Sequence, residues 1–328
     1  MQDDHRPGLP APLSFSELTQ VPMSPLIEAQ GAAGRFAWEE FFLGRIRNGH
    51  TRRAYQQAVS AFLIWCDRQH VDLQGITPGM VGHYFDQHTG SPPTKKLHMS
   101  AIRGLFDVLV QRHVLILNPA LSVRTERYSV TEGRTPEITI EQVRQLRDSI
   151  RLVSVIDHRD LAIINMLMFT AARVGAIAKL RIRDLRDDGH HMSVQFREKG
   201  GKRRLIPVRI SLQDELEEYL RRSRLADETD KDLPLFRTAT GRSVELSDRP
   251  MSGVDILRMI RRRLKRAGLP TVISCHSFRA CAATDLLLQS VPLEDVQYLL
   301  SHSDSRVTRL YDRRKRQVTR NIVERITV

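Results

Sequence analysis

His276-Ser277-Phe278-Arg279, Leu299-Leu300-Ser301-His302-Ser303 and Thr308-Arg309-Leu310-Tyr311 follow one another near the C-terminal end of the chain. Two cationic residues, Arg173 and Lys199, precede them. A phosphodiester transfer that uses no metal needs a nucleophile, a base to deprotonate it and positive charge around the phosphate. The series that supplies these groups consists of Arg173, Lys199, His276, Arg279, His302 and Tyr311. Only the order and spacing of these residues make the pattern specific.

The composition indicates a soluble protein of two domains whose partner is a polyanion. A length of 328 residues exceeds what one hydrophobic core usually serves. The net charge is +13, and it is uneven: residues 1–150 carry 16 basic and 15 acidic side chains, whereas residues 151–328 carry 35 and 23. A surplus of this size attracts polyanions, so nucleic acid is the leading partner class.

The sequence contains no pattern that predicts a metal, a cofactor or a membrane anchor. Cys66, Cys275 and Cys281 show no paired ligand spacing and fit a reducing, cytosolic compartment. The longest apolar run, residues 161–172, is about half the length of a membrane span. The glycine-rich run at 199–202 lacks the order of a Walker loop. We therefore predict a cytoplasmic protein that binds no metal or cofactor.

Composition and hydrophobic periodicity divide the chain into five segments. Residues 1–34 are rich in proline and are predicted to be a flexible tail. Helical periodicity fills residues 35–123 and ends at Asn118-Pro119, and a polar stretch without pattern follows it. The predicted segments are a tail at 1–34, a helical domain at 35–123, a linker at 124–136, a second domain at 137–317 and a C-terminal segment at 318–328.

The second domain is predicted to be mostly α with a small β-sheet. Thr139 has the features of an N-cap for a helix that runs to about residue 149. Two strands, at 191–196 and 204–208, flank a glycine-containing turn. The predicted helices lie at 160–180, 211–223, 252–267, 277–289 and 292–300, the last with Pro292 at its first position.

Each candidate residue also has an ordinary structural explanation. Arg173 follows an apolar helix face and is able to pair with Asp184. Lys199 is equally typical of a solvated turn, and a tyrosine such as Tyr311 usually packs in a core. His276 and Arg279 are three residues apart on one helix face and are able to converge on one anion, although such a pair also occurs often by chance.

The combined motifs resemble those of the tyrosine recombinases, the family that includes phage integrases, Cre and the Xer recombinases. Thr170-Ala171-Ala172-Arg173-Val174 is similar to the first arginine box, and residues 199–207 match the lysine hairpin. His276-Ser277-Phe278-Arg279 matches the H-x-x-R box, and Leu300-Ser301-His302-Ser303 matches the Leu-Gly-His-Ser box. Tyr311 then stands where the nucleophile belongs.

The resemblance extends to residues 36–123, which are similar to the helical core-binding domain of this family. It implies two lobes that form a clamp around DNA, with a helical core-binding (SAM-like) domain and an α+β catalytic domain. The residues expected to contact DNA are Thr51, Arg52, Arg53, Lys95, Lys96, Lys202, Arg203 and Arg204. The short proline-rich start favours a simple recombinase without an arm-binding domain.

Three departures from the family pattern affect supporting residues and no reacting group. Ala176 replaces the acid that usually follows the arginine box, so another group must orient Arg173. Ala171-Ala172 and Ser301 replace commoner choices, among them glycine.

The resemblance implies a covalent mechanism. Tyr311 attacks the scissile phosphate to give a 3′-phosphotyrosine and a free 5′-hydroxyl. Arg173 and Arg279 hold the nonbridging oxygens, and Lys199 protonates the leaving 5′ oxygen. His276 and His302 deprotonate or orient Tyr311, and the sequence leaves open which of them is the base.

Strand exchange implies four protomers on two duplexes, with accessory DNA-binding proteins as further partners. Residues 318–328 place Ile322, Val323 and Ile326 at helical spacing, which suits docking on a neighbouring protomer. The sequence leaves open whether the protein integrates, excises or resolves a mobile element or replicon. Two alternatives also remain: relaxation of DNA in the manner of a type IB topoisomerase, and DNA binding without catalysis.

Overall fold

The computed structural model describes residues 22–126, 135–187, 191–197, 203–241, 243–302 and 304–311. The chain divides into two compact units, residues 1–129 and 130–328. The boundary between them falls inside the predicted linker at 124–136, of which residues 127–134 lie outside the described part. Within the described ranges, no helix combines the length and the apolar character needed to cross a membrane.

The first unit is a bundle of helices around an aromatic core. Asn48 and Thr77 cap the third and fourth helices through their side chains, and prolines begin the fourth and fifth. Phe62 packs edge to face on Tyr84 and Phe106 inside this bundle. The helices are α1 (Pro25–Glu28), α2 (Gly31–Glu39) with a following π-helical turn (Glu40–Arg45), α3 (Gly49–Arg68), α4 (Pro78–Gln87) and α5 (Pro92–Gln111).

Both ends of this unit differ from the prediction. The predicted tail at 1–34 is wrong for its last part, because α1 and the start of α2 are helical and the side chain of Ile27 is fully buried in the core. Residues 1–21 lie outside the described part. The last helix ends at Gln111 and not at Asn118-Pro119. Asn118 instead fixes a turn by accepting a hydrogen bond from the backbone N–H of Ala120.

The second unit combines helices with two small antiparallel sheets. The strands β1 (Leu185–Asp187), β2 (Met192–Arg197) and β3 (Arg203–Pro207) form one sheet, and β4 (Arg237–Ala239) pairs with β5 (Leu246–Pro250). The helices are α6 (Ile140–Asp148), α7 (Val155–Phe169), α8 (Val174–Ile177), α9 (Ile210–Arg222), α10 (Gly253–Arg266), α11 (Cys275–Leu288), α12 (Leu293–Leu300) and α13 (Ser305–Arg309).

Helix α7 is the centre of the second unit. Its residues 158–168 are all buried, as expected for a helix that is apolar on every side. Capping boxes at Thr139, Ser154 and Ser252 fix the starts of α6, α7 and α10. The first of these is the N-cap that the sequence predicts. The strands of the β2–β3 hairpin agree with the predicted ones to within a residue.

Three features of the second unit differ from the prediction. The helix expected at 160–180 ends at Phe169, because the Thr170 hydroxyl bonds to the Met166 carbonyl at 2.6 Å and Ala171 turns to a φ of +49°. Pro292 is the N-cap of α12 and not its first residue. The strands β1, β4 and β5 were not predicted, since each is too short or too irregular to show a period of two.

A buried carboxylate joins α7 to α10. Asp160 is fully buried and accepts hydrogen bonds from Arg159 and from Arg262 and Arg263 of α10, at 2.6–3.1 Å. A charge without solvent requires such partners. The residues from Arg258 to Arg266 are rich in arginine and lysine. Two of them, Arg262 and Arg263, therefore bond to a buried group and are not directed wholly to solvent.

Candidate active site

Tyr311 and His276 meet in the second unit. Tyr311 follows α13, and its hydroxyl lies 3.1 Å from Nε2 of His276, the second residue of α11. The Tyr311 side chain is 8% exposed. Its backbone is fixed on both sides, since its N–H donates to the Thr308 carbonyl and its carbonyl accepts from the Thr284 hydroxyl. The nucleophile predicted from sequence thus contacts one of the two predicted histidines.

The surroundings of Tyr311 and His276 shift their pKa values in the directions that suit a proton donor and a base. Burial raises the pKa of Tyr311 above its ordinary value of 10, and the nearby charges of Arg279 and Arg173 offset this only in part. The pKa of His276 lies below 6.5, because its ring is partly desolvated and because Arg279 and Arg173 add positive charge. At neutral pH the imidazole is therefore neutral and the phenol is protonated.

Arg279 joins three motifs through its guanidinium. It is 1% exposed, and its two Nη atoms donate to the carbonyl oxygens of Ala171 and Leu300. Ala171 precedes Arg173 by two residues, and Leu300 precedes His302 by two. Sequence reasoning predicts the cation but not these two backbone contacts.

The two carbonyls are directed by backbone turns that favour glycine. Ala171 has a φ of +49° and Ser301 a φ of +50°, both in the left-handed region. Ser301 ends α12, where a left-handed residue commonly closes a helix. The two positions coincide with departures from the family pattern noted in the sequence, and the left-handed backbone explains why glycine is suited to them.

Arg173 is not part of a helix face near the core, in contrast to the prediction. It is the N-cap of α8 and is exposed. Its positive charge nevertheless acts on both His276 and Tyr311. The alternative partner Asp184 accepts from the Arg181 backbone and lies 3.8 Å from Arg197. The structure therefore brings Arg173 toward the same group of residues as Arg279.

His302 lies on the other side of the tyrosine. Its ring is stacked on that of Tyr311, with centroids 6.1 Å apart and an interplanar angle of 18°. Its Nδ1 is 2.9 Å from the hydroxyl of Thr308, which is fully buried. A hydroxyl in this position fixes the orientation of the imidazole ring. The sequence analysis did not predict that Thr308 orients His302. Its position between His302 and Tyr311 in the sequence was the one available signal.

The lysine hairpin is described only at its base. Lys199 and Lys202 lie outside the described residues. Arg203 is exposed at the start of β3. The predicted DNA contact of Arg204 does not fit its position, because this side chain is 5% exposed, donates to the Leu299 carbonyl and covers the Phe196 ring at 5.3 Å. Arg204 thus ties the hairpin to the end of α12.

The DNA-contact candidates of the first unit fall into two groups. Thr51, Arg53 and Lys96 are exposed on α3 and α5. Arg52 donates to the Ile46 carbonyl at 2.9 Å, and Lys95 forms an ion pair of 3.1 Å with Glu126. Arg52 and Lys95 are therefore already engaged within the unit.

The fold and this site define an enzyme that breaks and rejoins phosphodiesters through a tyrosine. A family model described as the phage integrase family matches residues 136–317, and one described as the phage integrase N-terminal SAM-like domain matches residues 38–113. The chain belongs to the phage integrase family. Its members are tyrosine site-specific recombinases, and this protein is an enzyme that cleaves and rejoins DNA strands.

Individual relatives agree with this assignment. Tyrosine recombinase XerC of Pseudomonas fluorescens is 28% identical over 80% of this chain and 85% of its own length. Tyrosine recombinase XerD of Corynebacterium glutamicum is 30% identical over 80% of this chain and 87% of its own length. The XerH recombinase in a post-cleavage complex with difH shares the fold at a TM-score of 0.63 and 18% identity, covering 83% of this chain and 78% of XerH. A lambda integrase dimer bound to a core site shares the fold at a TM-score of 0.62 and 18% identity. The match covers 87% of this chain and 95% of the lambda integrase chain.

Replacing either left-handed residue by glycine is expected to stabilise the second unit. Ala171→Gly and Ser301→Gly each relieve a left-handed side chain and should raise the free energy of unfolding by roughly 0.5–1 kcal/mol. Urea unfolding followed by circular dichroism measures this. Both tryptophans, Trp38 and Trp65, lie in the first unit, so their fluorescence should show no change.

The matched control is Ala280→Gly in the interior of α11, which should lower the free energy of unfolding by about 1 kcal/mol. If the glycine substitutions at 171 and 301 destabilise the unit as Ala280→Gly does, the two backbone turns are not strained.

Proposed function

We propose that Tyr311 is the nucleophile of this recombinase and that His276 is the base that activates it. The observation that carries the proposal is the 3.1 Å contact between the Tyr311 hydroxyl and Nε2 of His276. A phenol with a raised pKa is a poor nucleophile until its proton is removed. A neutral imidazole within hydrogen-bond distance supplies the acceptor.

The attack forms a bond between the Tyr311 oxygen and the phosphorus and breaks the bond to the 5′ oxygen. The phenolic proton passes to Nε2 of His276. Lys199 donates a proton to the leaving 5′ oxygen, a role that rests on the match of its hairpin to the family motif. The 3′-phosphotyrosine keeps the energy of the phosphodiester, so rejoining needs no ATP.

Two arginines stabilise the charge that develops on the phosphate. Arg279 is held in place by its two carbonyl bonds, and the exposed Arg173 lies at the N-cap of α8. Preorganised cations of this kind are effective because they need no reorganisation during the reaction. His302, whose ring is oriented by Thr308, adds a further polar group beside Tyr311.

The DNA is bound by basic side chains of both units. The basic candidates are Arg53 and Lys96 in the first unit and Lys202 and Arg203 at the hairpin, and the hydroxyl of Thr51 is a further candidate in the first unit. The exposed residues Arg258, Arg261, Lys265 and Arg266 of α10 add positive charge. In the family, the acid that follows the arginine box supports its arginine. Here Ala176 stands in that place, so neighbouring charges must orient Arg173.

Recombination requires several protomers, and we propose a tetramer that holds two DNA sites. A lambda integrase tetramer bound to a Holliday junction shares the fold at a TM-score of 0.60. Residues 318–328 would dock on the neighbouring protomer. The substrates would be sites on a mobile element or replicon of a bacterial cell, which places the reaction in the cytoplasm, and accessory DNA-binding proteins would set its direction.

Covalent trapping on nicked suicide duplexes from the genomic neighbourhood of the gene tests the nucleophile. Wild-type protein is expected to retain DNA on a denaturing gel. Tyr311→Phe should bind the same DNA and retain none, because the phenyl ring has no oxygen to attack. The matched control Tyr298→Phe removes an exposed hydroxyl and should trap normally. Trapping by Tyr311→Phe would exclude this tyrosine as the nucleophile.

The pH dependence of cleavage tests the base. Because the pKa of His276 is lowered below 6.5, Nε2 stays available through neutral pH and becomes protonated only below that value. The single-turnover rate should be level around pH 7 and fall about tenfold per pH unit below the lowered pKa. Glutamine in place of His276 keeps a hydrogen-bonding group but cannot act as a base. The rate of His276→Gln should therefore be lower on the order of a hundredfold and should no longer decrease at acid pH. An unchanged acid limb in His276→Gln would assign the base to another group.

Removal of residues 318–328 tests the association of protomers. The shortened chain is expected to cleave a single suicide site normally, because the site residues are all present. It should fail to recombine two sites, as gel assays of recombinant products measure. A full-length variant with Ile322, Val323 and Ile326 changed to serine should behave in the same way. Intact recombination in either variant would remove this segment from the interface.

A further inference from the structure

The loop after α5 exposes an unusual amount of apolar surface. Three large apolar side chains that lie close together in the sequence are exposed: Ile116 by 92%, Leu117 by 78% and Leu121 by 67%. Soluble proteins seldom leave such a group of side chains in contact with water unless it serves as a contact surface. The surface lies wholly within the first unit and is separate from the site around Tyr311.

A groove of about 790 Å³ runs beside these side chains. One wall is formed by the segment that leads into α4, with Leu73, Ile76 and Pro78, and the other by the loop after α5. The polar groups along it are amides and hydroxyls, among them Gln74, and none of its lining residues is charged. An occupant must therefore be extended, largely apolar and almost free of charge.

We propose that this groove binds residues 9–21 of the same chain. That segment reads Leu9-Pro10-Ala11-Pro12-Leu13-Ser14-Phe15-Ser16-Glu17-Leu18-Thr19-Gln20-Val21 and contains a single charged side chain. Its large apolar residues alternate with serines around Leu13 and Phe15, which suits one-sided contact. The C-terminal segment 318–328 fits less well, since it carries Arg320, Glu324 and Arg325.

The point at which the described chain begins favours this occupant. Ile27 anchors α1 in the core of the first unit, and Gln74 of the groove donates to the Gln30 side chain at 2.7 Å. Met23, two residues after the segment, packs on the same hydrophobic core as Leu73 and Ile76 of the groove, so the segment leads directly into the unit that carries the groove. Thirteen residues span roughly 40 Å when extended, well above the radius of about 13 Å for a domain of 100 residues. Reach does not limit the contact.

The prolines of the segment lower the cost of binding. Pro10 and Pro12 restrict the backbone before contact, so less conformational entropy is lost when the segment is ordered. The prolines also lack N–H groups that would need partners in an apolar groove. The docked segment would shield the three exposed side chains from water and from other molecules.

Thiol protection in the full-length protein tests this docking. Leu117→Cys places a thiol in the groove at an exposed position, so the substitution leaves the core intact. Its reaction with iodoacetamide is followed by mass spectrometry of the peptide. Cys281 in the second unit is partly exposed and serves as the internal reference. Adding Leu13→Asp with Phe15→Asp should speed the reaction at position 117 at least about tenfold and leave Cys281 unchanged.

Ser14→Asp with Ser16→Asp is the matched control, because it adds the same charge beside the apolar positions. Protection should persist in it. Equal rates at position 117 in all three proteins would overturn the proposal, as would loss of protection in the serine control. A rate that falls as protein concentration rises would assign the groove to a second copy of the chain instead.

Discussion

The guanidinium of Arg279 is the constraint on which the geometry of the active site depends. It is buried between the chain that leads to Arg173 and the chain that leads to His302, and it bonds to one carbonyl of each. A buried cation without these acceptors would be strongly unfavourable, so the two loops must keep their positions while the core is intact. Because Arg279 lies on the same helix as His276, the proposed base, this fixes His276 relative to both loops. The reacting groups are thus arranged before any substrate is bound.

The acidity of the groups in this arrangement is set by burial more than by charge. The sequence suggests that the surrounding arginines make Tyr311 a better acid, and their charges do act in that direction. The loss of solvent around the ring is the larger effect, so the phenol stays protonated and depends on its neighbour. The same arginines act on His276 together with desolvation and keep it neutral. One cluster of cations therefore serves the base more than the nucleophile.

Much of this was accessible from the sequence, and the failures have common physical causes. The motif residues Arg173, His276, Arg279, His302 and Tyr311 do meet in one unit, and the β2–β3 hairpin and most helices agree with their predicted ranges. The prediction went wrong where a side chain's environment is created by distant segments. Arg204 looks like a surface cation in a basic run but bonds to a carbonyl of α12, and Arg263 bonds to Asp160 of α7. The end of α7 was missed because Ala171 carries no sequence signal for a left-handed turn.

The left-handed turns at Ala171 and Ser301 also bear on how such chains are recognised. A positive φ favours glycine and strongly disfavours β-branched side chains such as valine or isoleucine, whereas unbranched residues adopt it at a cost, as His70 and Arg224 also do in this chain. A search pattern that demands glycine at both places would overlook this protein. A pattern that asks only for a residue without a β-branch, two places before the arginine and directly before the histidine, describes the physical requirement and would retain it.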